Sequence, residues 1–389
     1  MKKIKKEILN SNLDYLESMP ENEISESFSK AVDKLVKKEK VELRGKLLSL
    51  VNKQENIVRD DSSSVIDIAP SSIEYIEPIS KQIQLPFGST TLLLFYAYCK
   101  PIMTRSQQDA AITYCFKNLS ENKVTGRLRV AREGYNSTLT GTYEGIRNFT
   151  ASLKVYDPST FENIDFKYVD NLPDNQLLKG LKVWPVSEIV TYGFDPDEAP
   201  IEETGIHLTP SEFHKALEDP NAVVIDVRNF NETLIGKFTS PVAEVLDPCM
   251  RRSTEFPKWV KDNKSKLKGK KVLMYCTGGV RCERASAYIK NQGVDNVYQL
   301  EGGIHRYLEA YPQDGGHWIG KNYTFDKRFS HGAEKSDIIS NCCYCHSPWE
   351  RYNANKKCFK CGMEVLLCRE CQRAKPSIAK NLLFCPLCK

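Results

Sequence analysis

Apolar and polar positions divide the chain into stretches of different periodicity. In the first 58 residues, Phe28, Val32, Leu35 and Val36, then Leu43, Leu47, Leu48 and Val51, recur at helical spacing. The Lys and Glu residues between them read as solvated faces, so residues 1–58 are expected as a helical extension. Residues 59–86, with Ser62-Ser63-Ser64 and scattered Pro, lose that pattern and read as a linker with slight strand character near Ile73-Glu74-Tyr75-Ile76. From Thr90 the pattern tightens. Leu92 to Ala97 is a buried strand, Ser106 to Leu119 a helix and Thr125 to Ala131 a second strand. Glu133 to Asn136 turns the chain and Ser137 to Thr140 returns it. Tyr143 to Leu153 is a second helix, and Phe161 to Val169 a last strand.

The order β-α-β-β-α-β describes a split βαβ sandwich over residues 87–172, ferredoxin-like or acylphosphatase-like. No acylphosphatase active loop is present in it. A linker is expected over 173–204, then a second alternating unit over 205–315. Its elements are Ala222 to Val227, Pro257 to Leu267, Val272 to Tyr275, Arg284 to Asn291, Val297 to Leu300 and Ile304 to Ala310. Such alternation predicts a parallel sheet flanked by helices, with functional residues at the carboxyl ends of its strands. A further linker, 316–340, precedes a cysteine-rich module at 341–389. The fold class is therefore α/β and multidomain.

Composition sharpens this picture in two places. Hydrophobic residues at 41% and charged residues at 27% of 389 describe a soluble globular chain, and no apolar run reaches the ~18 residues of a membrane span. The basic start, Met1 to Glu7, is not followed by an apolar core and cleavage site, so the expected setting is the reducing cytoplasm. The formal net charge of +5 permits a nucleic-acid partner without demanding one. Arg127, Arg129 and Arg132 stand close together in the first unit. They read either as ordinary surface charge or as a platform for a phosphate backbone.

The chemistry concentrates at Tyr275-Cys276-Thr277-Gly278-Gly279-Val280-Arg281-Cys282-Glu283-Arg284. A strand ends, a glycine loop follows, and a helix opens. Free amides and the positive end of that helix stabilise an anion there, so Cys276 is expected to be a reactive thiolate. Four residues, Thr277 to Val280, separate Cys276 from Arg281. That ring is tighter than the loop of Cys-dependent phosphatases and suits a sulfane sulfur carried on the cysteine. Cys282, at the helix start, reads either as a resolving thiol or as a residue packed under the loop.

Here the sequence resembles the rhodanese family. Val223 to Arg228 with Glu232 resembles its strand ending in Asp-x-Arg, and Val297 to Ile304 its last strand and glycine turn, whereas Gly236-Lys237-Phe238 stands where many rhodaneses have Gly-His-Ile. Further segments are similar to the bacterial tRNA uridine hydroxylases: Arg132-Glu133-Gly134-Tyr135-Asn136-Ser137-Thr138, Leu181-Lys182-Val183, Glu255-Phe256-Pro257, the Cys276–Glu283 loop, and Phe325-Asp326 with His331-Gly332. Tyr135 and Ser137 depart from that family's Ile and Gly. The resemblance covers roughly residues 90–335 and implies oxygen-dependent 5-hydroxylation of the wobble uridine. Cys276, Arg281 and Cys282 are then the catalytic candidates. Thr277, Gly278, Gly279, Val280, Arg228, Arg284, Arg132 and Asn136 are the substrate-binding candidates. None of the six His forms a pattern that commits two of them and a carboxylate to iron.

Eight of the 14 Cys form four Cys-x-x-Cys knuckles: Cys342/Cys345, Cys358/Cys361, Cys368/Cys371 and Cys385/Cys388. Two such turns complete a tetrahedron, so eight ligands imply two structural Zn2+ ions. Cross-bracing would join the first knuckle with the third and the second with the fourth; sequential pairing is the alternative, and Cys343 or His346 could replace a first-knuckle ligand. Three functions stay open: a tRNA-binding uridine hydroxylase acting through Cys276, a sulfurtransferase moving sulfane sulfur from a donor through a Cys276 persulfide, and a non-enzymatic zinc-containing interaction protein.

Overall fold

The structure is a computed structural model and describes residues 90–374 and 383–389. The helical extension and the linker expected before residue 87 lie outside the described residues.

The first unit runs β1 (Thr90–Tyr98), α1 (Arg105–Glu121), β2 (Thr125–Ala131), β3 (Gly134–Gly141), α2 (Tyr143–Tyr156), the single turn α3 (Pro158–Phe161) and β4 (Lys167–Leu172). Thr104 starts α1 by accepting the Gln107 N–H, while the Gln107 side chain accepts the Thr104 N–H. Leu93, Phe95 and Ala97 of β1 pack against Ala111, Cys115 and Leu119 of α1 and Ile146, Phe149 and Leu153 of α2. Burial raises the Cys99 and Cys115 thiols to about 11 and about 12, so both are inert core residues. Asn136 belongs to β3 rather than to a turn, and it pairs with Tyr96 across the sheet.

The segment expected as a linker over 173–204 is built into both units. Its β5 (Leu181–Pro185) lies parallel to β2 and completes a sheet of order β4-β1-β3-β2-β5. Its Val190, Tyr192, Phe194 and Ala199 enter the core of the second unit. Pro185, Gly193, Pro196 and Pro200 interrupt any period that would have marked it as structured.

The second unit carries β6 (Ile206–Leu208), α4 (Pro210–Ala216), β7 (Ala222–Asp226), α5 (Phe230–Thr233), β8 (Gly236–Phe238), β9 (Glu244–Leu246), α6 (Phe256–Leu267), β10 (Lys271–Tyr275), α7 (Val280–Asn291), β11 (Val297–Leu300) and α8 (Gly303–Ala310). Five parallel strands lie in the order β6-β11-β10-β7-β9. The central β10 is covered on both faces: Val272 and Met274 join one apolar cluster, Leu273 the other. That burial explains its unbroken apolar run. Cys276 leaves the carboxyl end of this strand.

The 316–340 segment is likewise ordered. Its β12 (Trp318–Gly320) pairs with β8, and β13 (Asn322–Tyr323) with β14 (Ser330–His331). The cysteine-rich module then follows, with β15 (Tyr352–Lys357), β16 (Glu364–Leu366) and α9 (Arg369–Ala374). Among the described residues no helix is long and apolar enough to cross a membrane.

Candidate active site

Cys276 is wholly buried in the loop between β10 and α7. Its Sγ accepts the Gly279 N–H at 3.2 Å. Burial on its own would raise the thiol pKa. The Cys282 S–H, the Arg281 charge and the Arg281 and Gly278 amides outweigh it and bring Cys276 down to about 5. Cys282, buried beside this charge, is pushed well above an ordinary thiol by burial and by Cys276. The pair therefore rests as one thiolate and one thiol donating to it. Gly279 sits at φ +102°, and a Cβ there would come within 2.8 Å of the Tyr96 hydroxyl; only glycine gives the sulfur that amide. Gly303 closes the loop from behind, since a Cβ there would lie 2.6 Å from the Cys276 carbonyl oxygen.

The Arg281 guanidinium is largely engaged within the protein. It holds Glu232 through two bonds, 2.5 and 2.8 Å, and donates to Thr277 Oγ1 at 2.8 Å. Thr277 Oγ1 also donates to Glu232 at 3.1 Å. Glu232 is fully buried, and despite the burial that opposes its charge, Arg281 holds its carboxyl below the usual range. Removing one partner of a buried pair leaves an uncompensated charge. Glu232→Gln is therefore expected to lower unfolding stability by about 3 kcal/mol, read from denaturant midpoints; an unchanged midpoint would show that the pair does not hold the loop.

Thr277, Gly278, Val280 and Arg281 face a cavity of about 620 Å³. Its opposite wall is the helix-free face of the first sheet, with Leu94, Tyr96, Arg127, Arg129, Asn136 and Lys167. The Tyr96 hydroxyl donates to Glu283 at 2.8 Å and pins that face over the loop. Glu283 is gripped in turn by His207, Thr204 and Gln299. Seven cations line the cavity: Arg127, Arg129, Lys167, Arg251, Arg252, Arg281 and Arg328. The one lining carboxylate, Asp326, is bonded to Arg328. An anion fits this lining.

Three arginines read as substrate-binding candidates lie outside the cavity lining. Arg228 is fully buried beneath the loop, with its guanidinium on Asp226 and the Gly236 carbonyl. Arg284, on α7, pairs with Glu133 and so ties the second unit to the β2–β3 turn of the first. Arg132 sits in that exposed turn and donates to the Met103 carbonyl. Asn136 does line the cavity, and its amide donates to the Ile189 carbonyl at 3.1 Å.

The eight knuckle cysteines gather into two sets, Cys342/Cys345/Cys368/Cys371 and Cys358/Cys361/Cys385/Cys388, each with its sulfurs within 4.8 Å of one another. This is the cross-braced pairing. Cys343 and His346 belong to neither set. A tetrahedral ion bonded at ~2.3 Å needs sulfurs about 3.8 Å apart, and two of the pairs, Cys345–Cys368 and Cys361–Cys385, stand at 3.6 Å. The sulfur sets fit a metal ion, and with four protein ligands each site would be closed to chemistry. Arg251 joins the module to the cavity: it lines the cavity and donates to Cys388 Sγ at 3.6 Å.

Sequence reasoning missed Tyr96, Lys167, Arg251, Arg252, Asn322 and Arg328, which come together only on folding. It also missed a third group, His214, Glu218 and His317, which lies outside the cavity lining.

Three family models match in chain order: a UPF0176 acylphosphatase-like domain over residues 90–189, a rhodanese-like domain over 209–310 and a rhodanese C-terminal region over 319–389. The chain is 36% identical to rhodanese-like domain-containing protein 6 of Arabidopsis thaliana over 77% of its own length, but spans only 52% of that relative. It is 35% identical to a tRNA uridine(34) hydroxylase of Acholeplasma laidlawii, covering 67% of this chain and 79% of that one. A relative of the same name from Brucella anthropi is 33% identical over 66% and 87%. With its acylphosphatase-like sheet, rhodanese-like loop and C-terminal region all in register, the chain belongs to the tRNA uridine(34) hydroxylase family.

Proposed function

We propose that this protein hydroxylates C5 of the wobble uridine of tRNA, using Cys276 as the reacting thiolate. The observation that carries the reading is Cys276, its Sγ accepting the Gly279 amide, buried directly beneath the loop residues Thr277, Gly278, Val280 and Arg281 that floor a cavity walled with cations. Relatives named for uridine(34) supply the substrate. A thiolate can add to C6 of a uracil ring, forming a C6–S bond and moving the electron pair onto C5 and the C4 carbonyl. The carbon that must acquire oxygen thereby becomes the nucleophile. Dioxygen then supplies the oxygen atom. Two electrons and two protons, drawn from a small-molecule thiol reductant, release its second oxygen as water. Loss of the C5 proton and departure of the thiolate restore the ring. Loop amides and the Cys282 thiol stabilise the leaving sulfur.

The two cysteine sets are proposed to hold zinc, which suits all-thiolate tetrahedra, and the working compartment is the cytoplasm. The reading is tested by nucleoside mass spectrometry of tRNA from cells lacking the gene. The expected result is loss of 5-hydroxyuridine at the wobble position, restored by the wild-type chain. Unchanged modification would refute it. The rhodanese-sized loop also favours a second reading, sulfur transfer, which a thiosulfate-to-cyanide assay reports directly.

RNA binding to the cavity should depend on salt, because each neutralised phosphate releases counterions. Arg129→Glu with Arg252→Glu is expected to weaken binding more than tenfold at low salt and to flatten the log–log salt slope by about 1.5. An unchanged slope would place the RNA elsewhere.

A further inference from the structure

One polar group on the cavity wall is left without a partner. Asn322, at the start of β13, is 1% exposed and lines the cavity. Its Nδ2 faces His331 Nε2 at 3.1 Å, while its Oδ1 is buried with no hydrogen-bond partner. Buried carbonyl oxygens are nearly always satisfied in native proteins, so an orphan that lines a ligand cavity marks a place where a ligand brings the donor. His331 stands behind this amide. Burial, and then the Arg328 charge, hold His331 neutral with a pKa of about 3. In its Nδ1–H tautomer the neutral ring accepts one of the two Nδ2 protons at Nε2. The second Nδ2 proton and Oδ1 then form an adjacent donor and acceptor.

With the base seated so that its N3 faces Oδ1, that pair tells uracil from cytosine. Uracil offers N3–H as donor beside a carbonyl acceptor. Cytosine offers the reverse, a bare N3 beside an amino group. Phe325, half-exposed in the same lining, presents a ring on which an unstacked base can lie. The backbone cations lie around it, with Arg127 donating to the Phe325 carbonyl and Arg328 held by Asp326.

We infer that the Asn322 carboxamide, oriented by His331, reads the imide edge of the target uracil and rejects cytosine. The inference rests on the proposed reading of the cavity as the site of an RNA uridine. It assigns to Asn322 a role in specificity, separate from the phosphate contacts that supply affinity.

The test measures binding of the full chain to two short RNA stem-loops that differ only in U or C at the wobble position. The wild-type protein is expected to prefer U by about tenfold, the discrimination of one bidentate contact. Asn322→Asp, close to isosteric, and Asn322→Ala should each reduce that ratio to twofold or less. Retained binding of the C loop shows that a variant is folded; if Asn322→Ala loses it, Asn322→Asp decides. Equal binding of both loops by the wild type, or a full U preference in Asn322→Asp, overturns the inference while leaving the hydroxylase reading in place. Failure of the wild type to bind either loop more tightly than an unrelated hairpin overturns both.

Discussion

Cys276→Ser is expected to leave less than about one part in a thousand of the wobble hydroxyuridine formed by the wild-type chain, since removal of a nucleophile costs at least that factor. Serine fills nearly the same space, and the loop amides and the Arg281–Glu232 pair can keep their positions. What changes is ionisation. A serine hydroxyl stays protonated in a site that holds the cysteine near about 5. The same chemistry fixes the pH profile of the wild type. With the thiolate as the proposed reacting form, activity should be fully present well above pH 5 and should fall as the pH drops through about 5. Nucleoside mass spectrometry on tRNA from a Cys276→Ser strain measures the first effect. Hydroxyuridine at a tenth or more of the wild-type level would mean that the sulfur is not the nucleophile.

Stripping metal is expected to unfold the C-terminal module while leaving both sheets intact. Apart from its cysteines, the buried apolar residues of this module among the described residues are Val365, Leu366, Leu367 and Leu383. So small a core cannot offset the chain entropy, and structural zinc in such modules contributes ~10–16 kcal/mol at neutral pH. Chelation, or Cys371→Ser with Cys388→Ser, should abolish hydrogen-exchange protection across residues 342–371 and 383–388, with β10 and α7 unaffected. RNA binding should weaken too, because Arg251 loses the sulfur that holds it at the cavity and Tyr352 loses its bond to the Asn231 carbonyl. Protection that persists in metal-free protein would contradict a metal-dependent fold.

The parts legible in the sequence were those whose signals are local. The β10 run, the glycine loop and the α7 pattern occupy one stretch, and each reports its own backbone state. The knuckle spacing was equally plain, although only the fold selects cross-bracing over sequential pairing. What stayed hidden depends on docking. β5 is five residues long and sits among prolines, so nothing local distinguishes it from a connection. Arg228 follows β7 and Arg281 opens α7, both near the site, and residue type alone could not tell which stays under the floor. The docking of the two units did leave one trace. β1 is apolar at Leu92 and Leu94 as well as at Leu93 and Phe95, which on a sheet means that both faces are covered. Its second face is the one that Tyr96 presses onto Gly279.

All of the proposed chemistry depends on the charge of one buried sulfur. Alkylation would confuse acidity with access, since Cys276 has no exposed surface. Ultraviolet thiolate absorbance avoids this when the wild-type titration is subtracted against Cys276→Ser. The difference should rise with a midpoint of about 5 and be flat through neutrality. A midpoint at or above ~8.5, the value of a free cysteine, would contradict the account.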